Sequence, residues 1–315
     1  MRWTHPIRTA FLMPAVIWVL IFTIFPLGYS LYAAFHKVES RTEVERIQVP
    51  RLNADGTPSL RPDGTPRMRT EVQRSSVTTW TYVGWENFRR VFSDRQVLEA
   101  VRVTLIFVVT AVTTEVILGL ALAYLFHQAI PARPFLRTVM ILPIFATPVA
   151  AGYLFFTIFY EEGGPLGWTG IPFLSDPSWA LASVIMVDIW QWTPFCFLVF
   201  LAALQSLPEE QVEAATLDTD SNWVIWREVI LPFIMPVIVI VSLLRLVEAV
   251  KVFDVVASLT VGGPGNATQS VSYLAFRTGL RFFDVGYASV LAYMLLAFVM
   301  VIVTIFFKKV RRVYA

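Results

Sequence analysis

The sequence is poor in the residues that most soluble chemistry relies on. It holds one cysteine, Cys196, and three histidines, His5, His36 and His127. A single cysteine excludes an intrachain disulfide and a cysteine-based metal site. Its place inside an apolar run reads as that of a small buried hydrophobe. The histidines stand at the ends of apolar runs and far apart, so no metal site is expected. No G-x-x-x-x-G-K-[ST] occurs, so the chain does not bind ATP through a P-loop, and H-E-x-x-H and G-x-S-x-G are missing as well. Charge is scarce: it makes up 15% of the 315 residues, where soluble domains carry about 25%.

Apolar residues fill the space. They make up 56% of the chain, with 25 Phe and 10 Trp, at a mean hydropathy of +0.63. They gather in runs of about 20 or more, long enough to cross a bilayer. Six spans are expected, near residues 9–36, 98–127, 135–160, 179–206, 230–256 and 285–309. The first apolar run, residues 11–35, is too long for a signal-peptide core and has no A-x-A site after it, so no cleavable leader is expected.

Basic residues set the orientation. Arg2 and Arg8, Arg133 and Arg137, Arg227, and Lys308, Lys309, Arg311 and Arg312 share one side if the N-terminus is inside. The connection after the third span has no Lys or Arg, and the one after the fifth has only Arg277 and Arg281. Both termini are therefore expected in the cytoplasm. The chain divides into residues 1–36 (N-terminus and first span), an external insertion at 37–97, a core of the second to sixth spans at 98–309 with a cytoplasmic loop at 207–231, and a tail at 310–315. The insertion contains an imperfect duplication. RTEVER at 41–46 returns as RTEVQR at 69–74, and DGTP occurs at 55–58 and 63–66. Asp-Gly turns between alternating β-branched residues predict a small antiparallel β extension. It serves either as a solvated spacer or as a contact surface for an external partner.

Ionisable groups inside spans cost about 2.5–3.5 kcal/mol each on insertion scales and call for a reason. Arg245, Glu248, Lys251 and Asp254 follow one another at steps of three. That spacing allows Arg245–Glu248 and Lys251–Asp254 to pair, or the row to line a substrate path. The fourth span carries Asp188, Trp190, Gln191 and Trp192 ahead of Pro194. A carboxylate and an amide beside indoles can hold sugar hydroxyls and C–H faces; equally, Asp188 could pair with Arg245 while the indoles sit in an interfacial belt. Pro143 and Pro148 free backbone carbonyls within the third span, which is tolerated where a helix lines a cavity or meets polar neighbours. Val261–Ser270, VGGPGNATQS, has no Lys after its glycines and reads as a re-entrant or surface turn.

One polar stretch interrupts the apolar pattern. Ser206-Leu207-Pro208-Glu209-Glu210 reads as a helix start, with Ser206 as cap and acids in the first turn. This helix should reach about Leu217. Asp218-Thr219-Asp220-Ser221 should break it and cap a second short helix carrying Trp223 and Trp226, before the fifth span begins at Leu231-Pro232. The exposed face is acidic, which suits a protein partner better than anionic lipid.

Glu213-Ala214-Ala215, Asp218, Trp223 and Ile230-Leu231-Pro232 with Pro236 resemble the EAA coupling loop of ABC importer permeases. Tyr82-Val83-Gly84 with Asn87-Phe88, Leu259-Thr260 with Gly262 to Thr268, and Phe282-Phe283-Asp284 with Gly286-Tyr287-Ala288 resemble the carbohydrate-uptake, maltose-type branch. The family usually has Gly where Thr219 stands. The resemblance implies an all-α integral membrane protein with the six transmembrane helices of the type I ABC importer fold. It implies a permease subunit for a sugar or sugar-like solute, forming half of a pore in a bacterial or archaeal inner membrane. Partners would be a second homologous permease, two ATPase subunits holding ATP and Mg, and an external solute-binding protein. The chain itself would hold no cofactor, metal or catalytic residue. Coupling to the ATPase, through the 213–232 loop, would fall to Glu213, Ala214, Ala215, Leu217, Asp218 and Thr219. The substrate path would involve Phe145, Val149, Asp188, Gln191, Trp192, Arg245, Glu248, Ala249 and Val252. Two rival classes are a self-sufficient secondary transporter using the intramembrane acids and a scaffold, which would have no substrate-sized cavity beside Asp188 and Arg245.

Overall fold

The computed structural model describes residues 5–51, 58, 61–63, 65–128 and 131–314. The chain forms two compact units, residues 1–89 with 278–290 and residues 90–277 with 291–315.

The first unit begins with an apolar helix in two parts, α1 (His5–Val19) and α2 (Phe25–Ala34), joined by a π turn at Leu20–Ile24. Pro26 follows one residue after that turn, and the wider turn accommodates a residue with no N–H to give. Strands β1 (His36–Pro50) and β2 (Met68–Tyr82) then form the antiparallel extension, in register from His36↔Tyr82 to Pro50↔Met68. The duplicated hexapeptides meet across it, at Val44↔Arg74, Glu45↔Gln73 and Arg46↔Val72. At the tip, Thr65 donates both its N–H (3.0 Å) and its hydroxyl (2.6 Å) to Asp63 Oδ1. Residues 55–57 of the first DGTP copy, Gly64 of the second and Arg2 lie outside the described residues. The short helix α3 (Glu86–Ser93) pins the base of the ribbon, because the buried Asn87 amide donates to Ala34 O at 3.0 Å and His36 O at 3.1 Å.

The second unit holds α4 (Arg95–His127), α5 (Arg133–Ile141), α6 (Pro148–Phe159), α7 (Pro177–Gln205), α8 (Glu209–Asp218), α9 (Asn222–Ile225), α10 (Leu231–Val250), α11 (Val271–Phe276) and most of α12 (Val285–Tyr314). The central element is α7, whose most apolar 18-residue stretch is 61% buried. It packs most extensively on α4. Their close approach depends on Gly119, where an added Cβ would come within 2.5 Å of Cys196 Cβ and 3.0 Å of Phe197 N. Small residues set such crossings between membrane helices, and Cys196 lies fully buried in the core beside it.

Among the described residues, five helical stretches are long and apolar enough to cross a membrane, and a sixth if the α5–α6 pair counts as one span. The third span is thus not the continuous helix expected over 135–160. A 3-10 turn at Leu142–Phe145 ends α5, Ala146 and Thr147 are extended, and α6 restarts at Pro148 after a bend of 102°. The cause is local: the residue before proline avoids the helical region, and the Thr147 hydroxyl then caps the new helix at Ala150 N. The fifth span also ends earlier than expected, at Val250 rather than near residue 256. Beyond it Val261–Ser270 is at the surface where it begins, with Val261 52% exposed, and packed where it ends. Thr268, Gln269 and Ser270 are buried, and the Ser270 hydroxyl donates to Val252 O at 2.7 Å. Gly262 has φ +79°, and a Cβ there would lie 2.6 Å from the Tyr273 ring.

After α6, the connection to α7 is organised by one carboxylate. Glu161 accepts from Leu174 N and Ser175 N, each at 2.9 Å, and from the Ser175 hydroxyl at 2.7 Å. The Ser175 hydroxyl first, then the two backbone amides, hold this carboxyl below the usual glutamate range.

Candidate functional site

Two regions gather the residues that the sequence singles out. The first is the polar stretch between α7 and α10. Ser206 does not cap α8; it closes α7, its hydroxyl donating to Ala203 O at 2.7 Å, and Pro208 precedes α8. One face of α8 rests on the core through Val212 and Ala215. Glu213, Ala214 and Asp218 are exposed, and Leu217 is 89% exposed. Asp218 is the last helical residue. Thr219 follows at φ −154°, ψ 142°. That is ordinary extended backbone, so the absent glycine costs nothing here. The Thr219 hydroxyl instead accepts from Ser221 N at 3.2 Å.

The second short helix is not a separate piece. From Asn222 to Val250 one 29-residue helix runs from α9 through a π turn at Trp226–Ile230 into α10. The same device as in the first span carries the chain past Pro232: a π turn, one residue, then proline.

The second region lies inside the bundle. Arg245 on α10 meets Glu115 on α4 twice, through Nε to Oε2 at 2.6 Å and Nη2 to Oε1 at 2.9 Å. Its Nη2 also donates to Asp188 Oδ2 on α7 at 2.9 Å. The Arg245 side chain is 2% exposed, and its guanidinium lies 4.5 Å from the Trp192 ring centroid. Such a forked guanidinium suits two carboxylates in fixed geometry. The expected Arg245–Glu248 pair therefore does not form. Arg245 lies on the buried side of α10, whereas Glu248 is turned outward and pairs with Lys251 at 2.9 Å. Lys251 in turn is not paired with Asp254, because α10 ends at Val250 and the two no longer stand one turn apart on a helix.

A cavity of about 150 Å³ opens beside this triad. Of the nine residues assigned to the substrate path, Asp188, Trp192, Arg245, Glu248, Ala249 and Val252 line it, together with Pro148, Lys251 and Asp254. Gln191 is buried behind them and donates to Ala146 O at 2.7 Å, satisfying a carbonyl that the helix break leaves free. Phe145, 76% exposed, and Val149 are on the surface of the broken span and outside the cavity. Glu115 was not among the expected residues. Its signal was available in the sequence: it is the single carboxylate deep in the second span, and an intramembrane acid needs a partner.

The comparisons bear on the whole chain. Residues 115–312 match the family described as "Binding-protein-dependent transport system inner membrane component". The trehalose/maltose transport system permease protein MalF of Thermococcus litoralis is 33% identical over 73% of this chain and 80% of its own. The trehalose transport system permease protein SugA of Mycobacterium tuberculosis is 30% identical over 96% of this chain and 88% of its own. Among solved structures, a bacterial ABC transporter involved in the import of the acidic polysaccharide alginate shares the fold at a TM-score of 0.76 and 22% identity, over 98% of this chain and 96% of that one. None of these relatives supports a self-sufficient secondary transporter, and the cavity beside Asp188 and Arg245 is what a scaffold would lack. The chain belongs to the binding-protein-dependent transport system inner membrane components, as a membrane-spanning permease subunit of an ABC importer.

Proposed function

We propose that this permease carries a sugar or sugar-like solute across an inner membrane, with both termini cytoplasmic, and that α8 is where a separate ATPase drives it. The observation that carries the reading is the outer face of α8. An almost fully exposed Leu217 beside exposed Glu213 and Ala214 is a surface that a protein partner would cover, with the small Ala214 allowing close approach. The acid on that face disfavours anionic lipid as its occupant. The two relatives' names supply the solute class.

The mechanical sense follows from the fold. Val212 and Ala215 seat α8 on the core, so a push on α8 moves the bundle rather than bending a loop. The helix from Asn222 to Val250 starts beside α8 and reaches Arg245 some 35 Å further along at 1.5 Å per residue. A continuous helix transmits such a motion to the cavity, as alternating access requires. At about 150 Å³ the cavity falls short of the roughly 300–1,000 Å³ usual for a ligand site, which fits a half-site completed by a second permease. The chain is not a catalyst on this reading: ATP and Mg are held by two ATPase subunits, and an external binding protein delivers the solute.

The test is reconstitution in proteoliposomes. Uptake should require the ATPase subunits and ATP in addition to both permeases. Proton-driven uptake by this chain alone would refute the proposal.

A further inference from the structure

The charges around the cavity discriminate within the sugar class. Both of its cations are already engaged. Arg245 directs Nε and Nη2 at Glu115 and Asp188 and lies against Trp192, and Lys251 holds Glu248 at 2.9 Å. The acids outnumber them: Asp188, Glu248 and Asp254 line the cavity, and Glu115 stands behind Arg245. Among the described residues, Asp254 has no ion-pair partner.

A phosphate, sulfonate or carboxylate entering this space therefore finds no uncompensated cation and meets an unneutralised acid, and like charges brought together inside a protein are repelled strongly. A hydroxyl-rich, uncharged solute meets the opposite situation. Its O–H groups can donate to carboxylate oxygens, which are strong acceptors with spare lone pairs. We propose that this half-site accepts uncharged, hydroxyl-rich saccharides and rejects saccharides bearing phosphate, sulfonate or carboxylate groups. The inference rests on the reading of the cavity as the substrate path of a sugar importer.

The test uses the complete complex of both permeases and the ATPase in lipid nanodiscs, without the external binding protein, so that selection by that protein is removed. Equilibrium dialysis compares radiolabelled trehalose with trehalose 6-phosphate, which differ by one phosphate group. Trehalose should bind saturably and the phosphate ester more weakly by at least about tenfold, a difference of some 1.4 kcal/mol. Asp254→Asn should narrow that gap several-fold. Equal or tighter binding of the phosphate ester, or a gap unchanged in Asp254→Asn, would overturn the proposal. So would the absence of saturable binding by either sugar. In that last case ATP-driven uptake by the same complex with its binding protein would still uphold the importer reading, so the two can fail separately.

Discussion

At the scale of single residues, Arg245 dominates the interior. Two carboxylates from two other helices converge on it, and removing a buried partner leaves charge without compensation, typically at about 3–5 kcal/mol. Arg245→Met should therefore lower the thermal unfolding midpoint of the purified complex by many degrees. Glu115→Gln keeps the shape and one acceptor, and should cost clearly less. Equal effects from both would mean that charge balance is not what Arg245 supplies. Glu161 makes a different, pH-dependent contribution. Its carboxyl is held below the usual range by the Ser175 hydroxyl and the Leu174 and Ser175 amides. A lowered folded value means that the ionised form binds these donors, so the loop's stabilisation is present above the unfolded value and is lost as pH falls through the folded one. Protection of the Leu174 and Ser175 amides, taken as exchange relative to the intrinsic rate at each pH, should fall on acidification in the native chain. In Glu161→Gln it should be lower already at neutral pH and lose this pH dependence.

Among the elements, α4 and α7 cross with no room for a side chain at residue 119. A Cβ at residue 119 conflicts with Cys196 Cβ and with the backbone of Phe197, and backbone cannot step aside. Gly119→Ala should impair folding, and Cys196→Ala should not rescue it, because the clashing atom is the Cβ that alanine retains. The measured quantity is the yield of monodisperse complex. Much of this architecture was legible beforehand. The apolar runs located the spans, the turn dipeptides announced the β ribbon, and the Asp188–Arg245 pair was one of two readings available for those residues. What escaped was set by geometry between elements. Spacing along the fifth span suggested Arg245–Glu248, because steps of three look neighbourly on a helix. Burial decided instead, turning Arg245 toward Glu115 on a distant segment. The merged α9–α10 helix escaped for another reason: a proline reads as a helix start, and nothing in the local pattern announces the π turn that lets a helix pass it.

At the scale of the whole molecule, α8, the continuous helix beyond it and the charged half-site form the path along which the proposed ATPase would act, with force entering at α8. The most direct measurement is ATP-driven uptake by the complete importer in proteoliposomes carrying Glu213→Lys, with subunit assembly followed on the same preparation. Uptake should be lost while the two permeases still co-purify. Uptake at the unaltered rate in that variant would mean that force does not enter at α8.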